Sequence, residues 1–258
     1  MGTLPKSFNH ITKQNKASTK FVTLLEIEAL STDIESALDS HIVSICEGAS
    51  GTDISLVKQR LVNLFSDKNS EWKIGAISEF FIHLYANIYG FKQECLFLNL
   101  EERSIKKGFD GYYSLKDETW VMESKSGFNS TKGISHSSKI KEAMSDLTDK
   151  FSGKSKNNPW QNAYSHASHC DVGTSSDIRK SIKKLADNFT LGTFDSIDNF
   201  NVMPCATIFL ESAWNPKKQE DIFAEIIKIL PELKGKKIRV VCVTQKTINT
   251  FIEYINKK

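Results

Sequence analysis

The C-terminal part of the chain alternates strand-like and helix-like segments, and this alternation constrains the fold more than any other feature of the sequence. A strand-like run at 205–212 (CATIFLES) is followed by a helical pattern at 216–230, a β-branched run at 237–244 (KIRVVCVT) and a last helical pattern at 246–256. Strands that alternate with helices bury their apolar faces in a sheet that helices cover. We therefore expect a mixed α/β fold with a mixed central sheet flanked by helices.

Upstream of this region, the spacing of apolar residues predicts four more strands and four more helices. The predicted strands lie at 21–30, 95–100, 108–115 and 119–125. The predicted helices lie at 52–65, 70–89, 137–151 and 175–189. A polar turn at 116–118 joins two of the strands into a hairpin.

Composition and charge set limits on the kind of protein. The 258 residues carry a formal net charge of only +3, so bulk charge alone does not indicate a polyanionic partner. Apolar runs stay shorter than the roughly 18 residues that a membrane helix needs, so we expect no membrane span. The five cysteines are scattered without a CxxC pair, which is typical of a reducing, cytoplasmic location.

A carboxylate and a lysine follow an apolar strand in the segment TWVMESK, at Glu123 and Lys125. Residues two apart in a strand project to the same face, so these two side chains lie together. Asp110 stands on the neighbouring strand of the hairpin, from which its carboxylate can approach Glu123. Two converging carboxylates repel one another unless a cation lies between them, and hard oxygen ligands suit Mg²⁺ or Mn²⁺. Such an ion with a nearby lysine serves phosphodiester hydrolysis.

The E-x-K spacing is common, and its context decides its meaning. The chain repeats it at Glu71/Lys73 and at Glu232/Lys234, where both copies are interpreted as solvated surface. Only the middle copy follows an apolar strand and has an aspartate one strand earlier. Glu79, on the helix predicted at 70–89, lies at the edge of that helix's apolar stripe and could face the sheet. The alternative for Glu79 is an ordinary glutamate on the helix surface.

The order of these elements resembles the PD-(D/E)xK nuclease superfamily. The segments ISEFFIHLYANIYGF, KGFDGYY and WVMESKSGF are most similar to the nuclease subunit (HamA) of Hachiman-type anti-phage systems. The resemblance covers about 70–256, and its specific part is 77–127. It implies a restriction-endonuclease-like domain at 69–258 that follows an N-terminal arm and small subdomain at 1–68. Phe109 stands where the proline that names the motif is expected.

The resemblance also implies roles for individual residues. In the superfamily pattern Asp110 and Glu123 are metal ligands, the backbone carbonyl of Ser124 is a further ligand, and Lys125 is the catalytic lysine. Glu79 is then the helix carboxylate that holds a metal through water. The cofactor implied is Mg²⁺ or Mn²⁺.

The activity that the resemblance implies is metal-dependent DNA cleavage, as an endonuclease or nickase, in bacterial anti-phage defence under the control of a HamB-like helicase. A non-catalytic DNA-binding module that regulates the helicase and a free-standing restriction endonuclease remain open as alternatives. Lysines contact phosphate without reading sequence, so the polar region after the E-x-K strand is either a DNA-binding surface or a solvated face. The candidate DNA contacts are Lys132, Lys139, Gln161, Tyr164, Lys180 and Lys183.

One further cluster indicates a metal only weakly. The segment SHASHCD brings His166, His169 and Cys170 close together. Two histidines three residues apart on a helix can share a metal ion, but a structural zinc site needs four ligands. The sequence has no GxxxxGK[ST] loop, which argues against ATP chemistry in this chain.

Overall fold

A seven-stranded mixed sheet forms the centre of the protein. The computed structural model describes residues 4–14, 19–98, 108–211 and 213–257. Its strands are β1 (Ile11–Gln14), β2 (Lys20–Ile27), β3 (Lys92–Gln93), β4 (Gly111–Leu115), β5 (Glu118–Phe128), β6 (Asn201–Phe209) and β7 (Lys237–Gln245). Their order across the sheet is β1-β2-β7-β6-β5-β4-β3. The strands β2, β7, β6 and β5 are mutually parallel, and β1, β4 and β3 run antiparallel to their neighbours, so the predicted mixed α/β fold is confirmed.

Helices cover both faces of this sheet. Within the described ranges they are α1 (Thr32–Glu47), α2 (Ile54–Ser66), α3 (Ser70–Tyr89), α4 (His136–Phe151), α5 (Pro159–Ala167), α6 (Ser176–Thr190), α7 (Gln219–Ile229) and α8 (Asn249–Asn256). One apolar core joins α1, α2, α3 and α8 to strand residues such as Met122. The other joins α4, α5, α6 and α7 to strand residues such as Val121. Neighbouring residues of β5 therefore enter different cores, because side chains alternate along a strand.

The helix predicted at 70–89 is confirmed as α3, and local signals at both ends explain its limits. Asn69 caps its start by accepting a hydrogen bond from the Trp72 amide at 2.9 Å. Gly90 ends it with a left-handed backbone (φ 102°), which glycine adopts without strain. Nearly every side chain between Ala76 and Ala86 is buried, so α3 packs as a central helix against the sheet.

The strand predicted at 95–100 is wrong over 95–97, where the chain bends, and residues 99 and 100 lie outside the described ranges. A strand of only two residues, β3, precedes it at 92–93. The apolar side chains at 95–97 are buried, but their backbone is held by the end of α1: the Phe97 amide donates to the Ile45 carbonyl at 2.9 Å. Burial of an irregular segment therefore produced a strand-like sequence pattern. Helices α1 and α5 were not predicted.

The proposed division into an N-terminal arm and subdomain (1–68) and a nuclease-like domain (69–258) stays a prediction. In the structure, β2 pairs along its whole length with β7, so both parts contribute strands to one sheet. None of the helices in the described ranges combines the length and the apolar character needed to cross a membrane.

Candidate active site

The hairpin of β4 and β5 brings Asp110 to Glu123. The two strands pair antiparallel up to Gly111 opposite Met122, and one more step in this register places Asp110 across from Glu123. The backbone amide of Ser124 donates a hydrogen bond to Asp110 Oδ2 at 2.8 Å, which holds that carboxylate beside the strand. The pairing of β4 with β5 ends there, whereas β5 continues to Phe128 beside β6. The hairpin register therefore places Asp110 and Glu123 opposite one another on neighbouring strands.

Gly111 leaves room for the Tyr113 ring and for Met122 on the facing strand. A Cβ atom at this position would lie 2.5 Å from ring carbon Cε2 of Tyr113, 2.9 Å from the Tyr113 hydroxyl and 3.0 Å from Cβ of Met122. The Tyr113 ring is fully buried and cannot turn away. Glycine is therefore required directly after Asp110 for a steric reason.

Glu123 is a buried carboxyl group between two lysines. Its side chain is 2% exposed, with Oε1 3.0 Å from Lys125 Nζ and Oε2 2.5 Å from Lys150 Nζ. Burial raises the pKa of Glu123 to about 8 and the nearby Asp110 carboxylate adds to the rise, while the two lysines oppose it. The lysines therefore offset only part of the cost of ionising Glu123 in the interior, and an additional cation would favour the ionised form.

Lys125 is held by carboxylates from two different elements. Its ammonium contacts Glu123 on its own strand and also the carboxylate of Asp146 on α4. Burial lowers the pKa of Lys125, but Glu123, the Asp146 hydrogen bond and Asp110 outweigh this effect and raise it above its ordinary value. In this environment Lys125 is a fixed positive charge beside the two carboxylates.

Asp146 and Lys150 are site residues that the sequence did not reveal. They lie four residues apart and so on the same side of α4, and they contact Lys125 and Glu123 respectively. Asp146, Lys125, Glu123 and Lys150 thus form one continuous series of contacts, which we call the ion-pair chain. Opposite charges four residues apart, in the first helix after an E-x-K strand, are the one signal that could have indicated them.

Glu79 is buried, so the alternative of a surface glutamate is wrong. Its Oε1 lies 3.3 Å from Nε2 of His83, whose Nδ1 lies 2.6 Å from the Tyr113 hydroxyl. Burial raises the pKa of Tyr113, and the Glu79 and Asp110 carboxylates are among the charges that add to the rise. Glu79 is thus linked to β4 through His83 and Tyr113, on the α3 side of the sheet. Its role as a metal ligand, like that of the Ser124 carbonyl, stays a prediction.

Three of the candidate DNA contacts line one groove between α5 and α6. Tyr164, Lys180 and Lys183 surround a pocket of about 470 Å³ together with Arg179 and Lys184. Asp187 is the acidic residue in its lining, so the groove is strongly basic.

The other three candidates lie elsewhere. Gln161 is exposed on α5, and Lys132 is exposed in the turn after β5. Lys139 is partly buried and forms an ion pair with Glu142 at 2.7 Å.

The histidine–cysteine segment forms an incomplete metal cluster. His169, Cys170 and Asp171 each offer a ligand atom within 4.8 Å of the other two. His166 does not join them, because it is buried and its Nδ1 accepts a hydrogen bond from the Leu96 amide at 3.3 Å. Three donors are one short of a structural zinc site.

The donor set at the β4–β5 edge fits a hard divalent cation. Asp110 and Glu123 offer carboxylate oxygens, the ligands that Mg²⁺ and Mn²⁺ take. Burial and the nearby Asp110 carboxylate raise the pKa of Glu123, and a bound cation would favour its ionised form. In comparison with known families, the sequence matches the HamA family over residues 10–258, nearly the whole chain. A comparison with curated proteins gave no match.

Proposed function

We propose that this chain, which belongs to the HamA family of anti-phage defence proteins, is a metal-dependent DNA endonuclease or nickase of the PD-(D/E)xK type. The observation that carries the proposal is the site itself. A buried glutamate lies across from an aspartate, with a lysine held beside them, at the point where β5 leaves its β4 partner.

Asp110 and Glu123 would hold Mg²⁺ or Mn²⁺, with the Ser124 carbonyl as a further ligand and Glu79 acting through water. When bound, such an ion would lower the pKa of a water molecule and polarise the scissile phosphate. Lys125 provides a fixed positive charge against which negative charge on the phosphate oxygens can develop. The Lys125 ammonium is held in place before the substrate binds, which is the condition for effective electrostatic stabilisation of the transition state.

The basic groove of α5 and α6 is the proposed binding surface for the DNA backbone. Lysine and arginine side chains bind phosphates without reading sequence, and Tyr164 offers an aromatic face at the same groove. Lys132 and Lys139 would extend the contact near the end of β5, and Gln161 would contact DNA from α5.

A helicase partner, HamB-like, would bring this chain to its substrate in the cytoplasm. The formal net charge of +3 gives the isolated chain little bulk attraction for DNA, so delivery by another subunit suits its electrostatics. Tight binding of duplex DNA by the isolated chain at physiological salt would contradict this part of the proposal.

Phage challenge of cells tests the proposed function. We expect Glu123→Ala and Lys125→Ala each to abolish protection, because each removes one component of the site while the protein stays folded. The matched control is Glu71→Ala, which alters an exposed glutamate with the same E-x-K spacing at the start of α3. Full protection by either site variant, at wild-type protein levels, would refute the nuclease assignment.

The ion-pair chain also favours a second candidate, a non-catalytic module that regulates the helicase. Lysines from β5 and α4 already contact Glu123, as in a polar network that serves only the fold. This alternative predicts that the chain and its partner never nick plasmid DNA at any concentration of Mg²⁺ or Mn²⁺. Cleavage that needs Glu123 excludes it.

A further inference from the structure

Asp146 forms one end of the ion-pair chain and lies on a different structural element from Lys125, the residue that it contacts. It lies on α4, 21 residues after Lys125, and its carboxylate contacts the Lys125 ammonium directly. Its side chain is 46% exposed, whereas Glu123, which contacts the same ammonium, is 2% exposed. The charge of Lys125 is thus held between a buried anchor on the strand and a half-exposed anchor on the helix.

Two anchors restrict a lysine more than one does. A lysine side chain has a flexible four-carbon stem, and a single ion pair leaves its ammonium free to swing about that contact. Contacts to two carboxylates on different elements leave the ammonium far less freedom. Lys150, one turn after Asp146, contacts the second oxygen of Glu123, so α4 contacts both residues of the E-x-K pair.

We infer that Asp146 is a positioning residue that orients the Lys125 ammonium toward the scissile phosphate. The inference rests on the proposed function, in which Lys125 acts on that phosphate. Asp146 has no role of its own on the substrate: its effect on catalysis passes through Lys125.

A neighbouring aspartate gives a matched control. Asp149 lies on the same helix, is similarly exposed (48%) and pairs with Lys154 at 3.5 Å, away from the E-x-K pair. Asp149→Asn removes the same charge from the same helix as Asp146→Asn and leaves the contacts of Lys125 intact.

The first test measures cleavage kinetics on a DNA substrate, with the chain in complex with its partner helicase. Asp146→Asn should lower kcat by between about tenfold and a hundredfold with little change in KM, since misplacing a reacting group has effects of this size. Asp146→Glu should restore much of the loss, and Asp149→Asn should behave like wild type. In the Lys125→Ala background, Asp146→Asn should cause no further loss, because both changes remove one function.

The second test needs no cleavage. An amine-acylating reagent is applied to the folded protein, and the modified fraction of Lys125 is read by peptide mass spectrometry. Asp146→Asn should increase the modification of Lys125 at least severalfold, while Lys58, a lysine on α2 that is 14% exposed and pairs with Asp39, stays unchanged. General loosening of the fold would instead raise the modification of Lys58 as well.

The outcomes separate the inference from the proposed function. If the wild type never cleaves DNA but Asp146→Asn still increases the acylation of Lys125, the nuclease proposal fails and the anchoring of Lys125 by Asp146 stands. If the wild type cleaves and Asp146→Asn cleaves equally fast, the positioning role is overturned while the nuclease proposal stands. A loss that adds fully to that of Lys125→Ala also overturns it.

Discussion

Replacing Glu123 by glutamine should change how the stability of the metal-free protein depends on pH. Glu123 has a pKa of about 8 in the folded protein against an ordinary value of 4.5. Between these pH values the folded protein keeps a proton that the unfolded chain has released. Raising the pH therefore favours the unfolded chain, and the free energy of unfolding falls until the pH passes about 8.

The pKa shift of Glu123 determines how much unfolding free energy the protein loses as the pH rises. Each pKa unit corresponds to about 1.4 kcal/mol, so the full shift sets an upper limit of about 5 kcal/mol. Buried His136 acts with the opposite sign below pH 6.5, because its pKa is lowered to about 4. His136 is thus avoided between pH 6.5 and 8.5, where the titration of Glu123 should remove about 2 kcal/mol of stability.

Urea unfolding in EDTA at pH 6.5, 7.5 and 8.5 measures this dependence. The wild type should lose about 2 kcal/mol across the window, and Glu123→Gln should lose much less, because glutamine does not titrate. Glu142→Gln, at a half-exposed glutamate on α4, is the matched control and should follow the wild type. Parallel pH dependences in wild type and Glu123→Gln would refute the reasoning that Glu123 is buried and protonated near neutral pH.

Three further predictions use other residues. In the Glu123→Gln background, which lacks the opposite pH dependence of Glu123, His136→Gln should remove the loss of stability on acidification from pH 6.5 to 4.5 in urea unfolding, since burial keeps His136 neutral while the unfolded chain takes up a proton. An unchanged pH dependence below pH 6.5 would contradict this. Gly111→Ala should lower stability by about 1–3 kcal/mol in thermal unfolding, because its Cβ would collide with Tyr113; a wild-type Tm would contradict the geometry. Lys180→Ala should weaken duplex DNA binding in fluorescence anisotropy and reduce the slope of log affinity against log salt concentration by roughly 1. Lys228→Ala on the α7 surface should change neither. Equal slopes for wild type and Lys180→Ala would show that Lys180 does not contact DNA.

Local sequence signals predicted much of the fold. The helices α2 and α3 follow from apolar spacing and from caps that the sequence shows, Asp53 and Gly90. The hairpin of β4 and β5 follows from the polar turn predicted at 116–118, which the structure narrows to 116–117 because Glu118 already pairs with Leu115. Helix α1 was not predicted although its buried residues Ile34, Leu38, Ile42 and Ile45 have helical spacing. Its serines, threonine and aspartates have low helix propensity and obscure that pattern.

The site was predictable only where its contacts are local. Asp110 and Glu123 meet through hairpin register, which sequence spacing determines. The contacts of Asp146 and Lys150 depend instead on how α4 crosses the sheet. Their opposite charges four residues apart could indicate a shared helix face, but not the strand residues that this face contacts. Glu79 is intermediate: its position beside an apolar stripe indicated burial, but its contact with His83 and the link to Tyr113 needed the packed structure.

Cleavage of supercoiled plasmid by the purified chain with its partner helicase distinguishes a nuclease from a binding module. We expect wild type and Glu71→Ala to convert the plasmid to nicked or linear DNA in Mg²⁺ or Mn²⁺, and EDTA to stop the reaction. Glu123→Ala and Lys125→Ala should leave the plasmid supercoiled. Cleavage by Glu123→Ala at the wild-type rate, or no cleavage by the wild type at any concentration of either ion, would contradict the nuclease proposal.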